Sequence, residues 1–429
     1  MRGRFSAPLE CKETAMPRPT VARVDLDAVG HNVRAIRSLV GERKICAAVK
    51  ADAYGHGAPA VCHAASAAGV DMFAVAMTEE AMDLRAAGIK KPIILLCPVP
   101  GEDIESILDY DITACITEEA FVLELAARAL RRGVQAKAHV KVDTGMHRIG
   151  LDWQTAAPVF VKLSRLAGLR ITGIFTHFAC ADADDLSFSK EQVRRFKSVL
   201  SQLRTAGIEV PFAHMANSNG VLRVPEAYFD GVRPGLMLYG LCSRPELQAT
   251  AGLRPVLTMR TRISHCRKLP GGEKIGYGHT FTTWRDSVVA TLPIGYHDGL
   301  IRQFSNMGEV LVRGRRVAMV GRVCMDQTLI DVTDVPDAQP GDEVVIYGRQ
   351  GDQYIGVEEM AARVDRIPYE LTCAVGWRVR REFVLNGVVV VETPYRSVVP
   401  EAVLEGIFPA SSPSADGEIQ AEPAKRGAA

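Results

Sequence analysis

The stretch Ile45-Cys46-Ala47-Ala48-Val49-Lys50-Ala51-Asp52-Ala53-Tyr54-Gly55-His56-Gly57 decides how the rest of the chain is read. An unbroken run of apolar residues, Ile45 to Val49, suits a strand buried on both faces, as in a parallel sheet. The lysine that ends the run and the glycines beyond it place a polar loop at the strand's carboxyl end. Seven more short β-rich runs follow: Met72–Ala76, Ile93–Cys97, Thr113–Ile116, Ala138–Val142, Ile171–Phe175, Pro211–Met215 and Asp230–Arg233. Amphipathic stretches such as Glu118–Arg131 and Ser189–Thr205 separate many of them. Eight strand–helix units in about 200 residues predict an α/β fold, a closed (β/α)8 barrel of the TIM type, because each parallel strand needs a crossover and closure removes both sheet edges.

Beyond Leu253 the pattern changes to runs joined by tight turns. The runs Val256–Arg267, Val288–Leu292, Glu309–Val312, Val317–Val320 and Val344–Tyr347 are punctuated by Gly271-Gly272, Gly314 and Gly341-Asp342. That alternation predicts a C-terminal antiparallel β domain, completed by a helix at Val357–Val364 and a last strand at Trp377–Leu385. The expected division is an N-terminal extension over 1–19, the barrel over 20–252, the β domain over 253–385 and an extended, disordered tail over 386–429. In that tail Pro, Ser, Ala and Glu dominate from Pro394 onward. Thr20–Asp27 alternates apolar Val21, Val24 and Leu26 with polar positions, and is expected to pair with the second domain.

Composition narrows the function. The 429 residues carry 51 basic and 50 acidic side chains, so no net field steers a polyanion, and neither nucleic acid nor anionic membrane is an expected partner. No apolar run approaches the roughly 20 residues that span a bilayer, and the first 20 residues hold no apolar core of a signal peptide. Ten cysteines without a CxxC spacing argue against disulfides or structural zinc, so no metal is expected and reduced thiols point to the cytoplasm.

Chemistry in such a barrel gathers on the loops after the strands. Lys50 ends an apolar strand, where partial desolvation lowers an amine's pKa and favours the neutral form that can join a carbonyl as an imine. The loops after the last two strands supply Ser218, in Ala216-Asn217-Ser218-Asn219, and Arg233-Pro234-Gly235, positions where barrels bind phosphate through hydroxyls, backbone N–H groups and a close-approaching glycine. A snorkelling lysine, a helix cap and a turn would each be ordinary alone. A lysine and a phosphate site facing one another across one barrel mouth suggest pyridoxal 5'-phosphate (PLP).

At this point seven blocks in order carry a resemblance. They are the segment around Lys50, Lys141-Val142-Asp143-Thr144-Gly145-Met146-His147-Arg148, Thr176-His177-Phe178-Ala179, Arg233-Pro234-Gly235, Gly295-Tyr296-His297-Asp298-Gly299, Gly321-Arg322-Val323-Cys324-Met325-Asp326 and Ile367-Pro368-Tyr369-Glu370. From Val21 to Arg381 the chain resembles the alanine racemases, members of the PLP-barrel enzymes. The resemblance implies that Lys50 carries PLP, that Tyr54, Ser218, Tyr369 and the backbone of Gly235 and Leu236 hold its phosphate, and that Arg233 faces its pyridine nitrogen. A permanently cationic arginine there disfavours a protonated ring and makes the cofactor a weaker electron sink.

Racemisation needs an acid–base group on each face of a planar intermediate. The resemblance puts Lys50 on one face and Tyr296, from the partner subunit of a homodimer, on the other, with His177 tuning it. Arg148 resembles the arginine that meets the cofactor's phenolic oxygen and the substrate carboxylate, and Met325 the residue whose backbone touches substrate. Lys141 and Asp326 stand behind these groups, and Lys141 is implied to carry a carbamate made from CO2. An unmodified Lys141 paired with Asp143 is the plainer alternative. His147 and His297 depart from the glycine and alanine common in the family, which opens the question of pocket size and substrate range. The expected role is interconversion of L- and D-alanine, supplying D-alanine for peptidoglycan. A racemase of broader specificity, a PLP-barrel decarboxylase and a single-barrel PLP-binding protein are the alternatives. The decarboxylase would bring a glycine-run phosphate loop and a reactive-cysteine motif, and the binding protein would lack the second domain.

Overall fold

The computed structural model describes residues 18–393 and 401–408. It opens with strand β1 (Val21–Asp25) and a helix, Leu26–Val40, whose buried positions Leu26, Val29, Val33, Ile36 and Val40 recur every three or four residues and so form one apolar stripe. Asp25 caps this helix through its Oδ1, which accepts from the Ala28 N–H at 2.9 Å and stabilises the end by about 1 kcal/mol.

The barrel follows. Its staves are β2 (Lys44–Ala48), β3 (Met72–Val75), β4 (Ile93–Leu95), β5 (Ile112–Ile116), β6 (Ala136–Asp143), β8 (Leu169–Phe175), β9 (Ala213–His214) and β10 (Gly231–Val232), with a two-residue strand β7 (Leu151–Asp152) beside β6. The order β5-β4-β3-β2-β10-β9-β8-β6 closes through pairing of β5 with β6, and the pairs are parallel. The eight runs read from sequence are these eight staves. The seventh is shorter than expected, because regular pairing stops at Ala213–His214.

The C-terminal strands are β11 (Leu257–Arg262), β12 (His265–Leu269), β13 (Lys274–Ile275), β14 (Phe281–Thr282), β15 (Ser287–Leu292), β16 (Glu309–Val312), β17 (Arg315–Ala318), β18 (Thr328–Asp331), β19 (Glu343–Gln350), β20 (Gln353–Ile355), β21 (Arg380–Leu385) and β22 (Val388–Thr393). The main sheet runs β17-β16-β19-β11-β1-β21-β22, while β12, β15 and β18 make a smaller one. β1 is antiparallel to β11 and parallel to β21, so the first strand of the chain sits inside the last domain's sheet. The expected single strand Val256–Arg267 is two strands that belong to different sheets.

The expected tail needs correction. Residues 388–393 form β22, paired with β21, and Glu401–Ile407 form a helix with Leu404 fully buried. Asn386 and Gly387, at φ +53° and +76°, make the two-residue turn whose twist suits a hairpin, and the apolar Val388–Val391 then pairs on. The remainder of the expected tail, 394–400 and 409–429, and the extension over 1–17 lie outside the described residues.

Phe383 of β21 is fully buried opposite Val24 of β1. Phe383→Ala is expected to destabilise the protein by about 3–5 kcal/mol, measured as a fall in the urea midpoint, and a loss below about 1 kcal/mol would contradict this packing.

Candidate active site

Lys50 follows directly on β2, where the Val49 N–H donates to the Ala74 carbonyl (2.9 Å). The next four residues, Ala51 to Tyr54, all have φ between +53° and +55°. They form a left-handed turn built without glycine, at a cost of about 1–2 kcal/mol per residue. Bonds from Ala53 N to Val49 O and from Gly57 N to Asp52 O, both 2.9 Å, and from Ala58 N to Asp52 Oδ1, 2.8 Å, offset part of that cost.

The turn delivers Tyr54 to Gly235, where a Cβ would lie 2.8 Å from the Tyr54 hydroxyl. Ser218 Oγ accepts from the N–H groups of Gly235 (3.0 Å) and Met237 (3.2 Å), and Leu236 opens a short 3-10 turn between them. Tyr369 closes the group, its ring edge-on to Tyr54 at 6.3 Å. Burial raises the phenol pKa of both tyrosines, which keeps them as donors. Hydroxyls, backbone N–H groups and a bare glycine around one space suit a phosphate.

Arg233 sits behind, 3 % exposed. Its Nη1 donates to His214 Nδ1 (2.8 Å), and its Nη2 to the Thr176 carbonyl and His177 Nδ1 (both 2.9 Å). Arginine only donates, so both histidines accept at Nδ1 and carry their proton on Nε2. His214 Nε2 then donates to His139 Nδ1 at 3.1 Å. Gly173 on β8 leaves room for the His139 ring, since a Cβ there would lie 2.7 Å from Nε2. Burial, reinforced by the Arg233 charge, lowers His139 to about 3 and takes His177 and His214 well below the usual imidazole range. The Lys50 charge weighs on His177 too.

Lys141 is buried on β6 with its Nζ over the Phe175 ring (4.5 Å), the ring that also receives Arg233 (5.3 Å). Burial, then Arg233, and more weakly Arg148, lower the amine to about 7. It has no ion-pair partner among the described residues. The alternative in which Lys141 pairs with Asp143 is not what the structure contains. Asp143 instead accepts from the N–H groups of Gly145, Met146 and His147 and faces the His147 ring at 3.3 Å. Burial raises its carboxyl, but the backbone donors outweigh this and hold it low. Arg148 and His177 line the same small cavity as Lys141 and Asp143. His147 has φ +55° and a side chain 82 % exposed, so its ring lies outside that cavity. A left-handed backbone is the physical reason glycine suits this position.

Tyr296, Met325 and Asp326 cluster on the C-terminal domain. Tyr296 opens a 3-10 turn after β15; its N–H donates to Cys324 O (2.9 Å), and the His297 N–H donates to Met325 O (3.2 Å). The buried carboxylate of Asp298 anchors the turn, accepting from Gly295 N (2.9 Å), Arg18 Nη2 (2.7 Å) and Arg378 Nε (2.7 Å), while Arg378 also reaches Asp326 (2.6 Å). The Tyr296 side chain is 42 % exposed, and its hydroxyl has no hydrogen-bond partner among the described residues. His297 is exposed, its ring edge-on to Trp377. Lys50, Tyr54, Lys141, Arg148, His177, Ser218, Arg233, Gly235, Leu236 and Tyr369 thus share the barrel mouth. No hydrogen bond, ion pair or ring contact among the described residues joins Tyr296, Met325 or Asp326 to them.

Sequence reasoning missed His139, His214 and the Arg18–Asp298–Arg378 cluster. His139 was within reach, because it lies two residues before Lys141 on a strand and therefore on the same face. Arg18 and Asp298 are brought together only by tertiary folding.

Two sequence families match in tandem, "Alanine racemase, N-terminal domain" over residues 24–243 and "Alanine racemase, C-terminal domain" over residues 256–383. "Alanine racemase 1" of Caldanaerobacter subterraneus subsp. tengcongensis is 41 % identical over 380 residues, which is 88 % of this chain and 98 % of that protein. Among solved structures, alanine racemase of Clostridium difficile 630 superposes with a TM-score of 0.85 at 32 % identity, covering 89 % of this chain and 100 % of that one. Alanine racemase from Bartonella henselae, solved with covalently bound pyridoxal phosphate, gives 0.78 at 30 % identity over 86 % and 100 %. The chain belongs to the alanine racemase family.

Proposed function

We propose that this protein interconverts L- and D-alanine with pyridoxal 5'-phosphate held on Lys50. The observation that carries the reading is the buried Arg233, which shares His177 with the charge of the strand-end Lys50 and has no carboxylate among its hydrogen-bond partners in the described residues. The cradle of Tyr54, Ser218, Tyr369 and the backbone of Gly235 and Leu236 suits a phosphate, and the space over Gly235 is one that any side chain would fill. When bound, the cofactor supplies an electron-withdrawing ring that acidifies the substrate's Cα–H. Arg233 would present its charge to the bound cofactor's ring, which would disfavour protonation of the ring and limit side reactions. Arg148 offers a planar fork to the substrate carboxylate, and the Met325 backbone borders the substrate. The Lys50 amine takes or returns the α-proton on one face and the Tyr296 hydroxyl does so on the other.

Tyr296 serves a site in a second copy of the chain, in a homodimer with shared active sites. The exposed Tyr296, Met325, Ile367 and Trp377 supply apolar surface for that contact. The expected setting is the cytoplasm, where D-alanine goes to peptidoglycan. The nine described cysteines are all unpaired, and no helix among the described residues is long and apolar enough to cross a membrane.

Chiral chromatography after incubation with L-alanine is expected to yield D-alanine, with L-serine and L-lysine run in parallel to measure specificity. Borohydride reduction and peptide mapping should place a pyridoxyl group on Lys50; a label elsewhere, or none, ends the assignment. Tyr296→Phe should lower racemisation roughly 10²–10⁴-fold. In D2O it should still exchange the α-proton of D-alanine through Lys50 while exchange from L-alanine nearly stops. Equal residual exchange from both enantiomers would remove Tyr296 from the reaction.

Mixing inactive Lys50→Ala and Tyr296→Ala subunits should restore about one working site per heterodimer. Activity that never returns after confirmed subunit exchange refutes the shared site.

Lys141 is a buried amine with no ion-pair partner among the described residues, lowered to about 7, and is the proposed carbamate. Its neutral form adds to CO2 and releases one proton, which turns a potential cation beside Arg148 into an anion. Only the neutral amine reacts, so occupancy should rise as pH passes upward through about 7. A carbamate carbon signal from protein equilibrated with carbon-13 bicarbonate, absent in Lys141→Gln, checks it; identical spectra for the two proteins count against it.

A further inference from the structure

The left-handed turn after Lys50 is gripped by three side chains to which the proposed reaction gives no part. His56 is fully buried and stacked on Tyr239, ring centroids 4.5 Å apart. Its Nδ1 lies 2.9 Å from the carbonyl oxygens of both Ala53 and Tyr54. Carbonyls only accept, so Nδ1 carries the proton and shares it between two oxygens of the turn. The ring's other nitrogen, buried Nε2, has no hydrogen-bond partner among the described residues, so among them the ring's polar engagement is with the turn. Burial also holds this histidine neutral, its pKa lowered to about 4.

Glu80 comes from the next barrel helix, Thr78–Ala86. One carboxylate oxygen accepts from the Ala51 N–H at 2.6 Å, and the other accepts from Ala76 (2.7 Å) and Met77 (3.2 Å). The carboxylate thus ties the first left-handed residue to the loop after β3. Arg381 comes from β21 of the other domain. It is buried, held by the carbonyls of Val375, Gly376 and Val379, and its Nη2 also donates to Gly55 O at 3.2 Å. Gly55 itself presses on the backbone of Thr372, whose oxygen would lie 2.1 Å from a Cβ.

Four consecutive non-glycine residues in the left-handed region persist only where the surroundings over-determine them. Here one contact comes from within the segment, one from the neighbouring strand–helix unit and one from the C-terminal domain. The same turn carries Lys50 at its start and Tyr54, against Gly235, at its end. We propose that His56, Glu80 and Arg381 are positioning residues that latch the left-handed turn and hold the Lys50 amine and the Tyr54 hydroxyl as one rigid piece. The proposal rests on reading Lys50 as the cofactor lysine.

Hydrogen exchange on the purified full-length protein tests it, read beside the thermal midpoint and the fraction of Lys50 that borohydride labels. His56→Phe keeps a ring over Tyr239 and loses the donor; His56→Asn keeps an N–H near the Nδ1 position. The phenylalanine variant should exchange the amides of Ala53 and Gly57 about tenfold faster or more, with reduced Lys50 labelling. The asparagine variant should stay near wild type in both readings. If His56→Phe does not fold, Glu80→Gln serves instead, because its amide turns N–H groups toward donors, and the Ala51 amide should then exchange faster. Exchange unchanged in a folded His56→Phe or Glu80→Gln protein overturns the latch. Loosening spread over the whole chain, with the midpoint lowered and no rescue by asparagine, also overturns it, as a merely structural role. A wild-type protein that takes no label at Lys50 defeats the functional reading instead, while the exchange comparison still reports on the turn.

Discussion

A guanidinium buried in a barrel, with no carboxylate among its hydrogen-bond partners in the described residues, is the constraint on which the site depends. Removing Arg233 from water costs several kcal/mol, and its hydrogen bonds go to carbonyl oxygens and two imidazole nitrogens. Neutral acceptors solvate the charge without cancelling it. What remains acts on every titratable neighbour with the same sign. It adds to the burial that keeps three histidines neutral, fixes the tautomers of two of them by direct donation and of the third through His214, and adds to the burial that lowers the Lys141 amine. The protonation state of the barrel mouth is thus set by burial together with one residue at the end of β10.

Around that charge the fold supplies small, separately placed parts. Lys50 and Tyr54 come from the segment after β2, Ser218 and Gly235 from the loops after β9 and β10, and Arg148 from the loop after β6. Each stands on a strand whose neighbours on both sides are paired, so the loops inherit the rigidity of a closed sheet. The exception is the segment after Lys50. Its backbone is unfavourable by itself, and its conformation depends on groups from three parts of the molecule, including a strand of the other domain.

The eight staves were legible because a strand buried on both faces must be apolar throughout, and such runs as Ile45–Val49 and Ile93–Leu95 admit little else. Lys50, Ser218 and the Arg233-Pro234-Gly235 segment were legible from their place just after those runs, whereas Tyr54, Arg148, His177 and Tyr369 stood out only through the family resemblance. What escaped notice has physical reasons. The hand of Ala51–Tyr54 leaves no mark in composition, since none of the four is glycine and the contacts that impose it are distant in sequence. Arg18 and Asp298 are 280 positions apart, and no local pattern joins them. The hairpin at Asn386-Gly387 did leave its mark, an Asn-Gly pair between apolar runs, but the polar composition beyond residue 394 masked it.

The place of β1 has a bearing on how the chain is made. This strand is translated first, yet its two partners, β11 and β21, begin at Leu257 and Arg380. At about 5–20 residues per second, the partner on the β21 side reaches the ribosome's exit roughly 20–70 s after β1. Until then a short apolar strand with Val21, Ala22 and Val24, all buried in the finished sheet, waits with at least one edge unpaired, and with both unpaired until β11 is made. Such a strand is open to pairing with other nascent chains. Arg18 just before it, Arg23 within it and the helix attached directly behind it, from Leu26, work against such pairing before the second domain arrives.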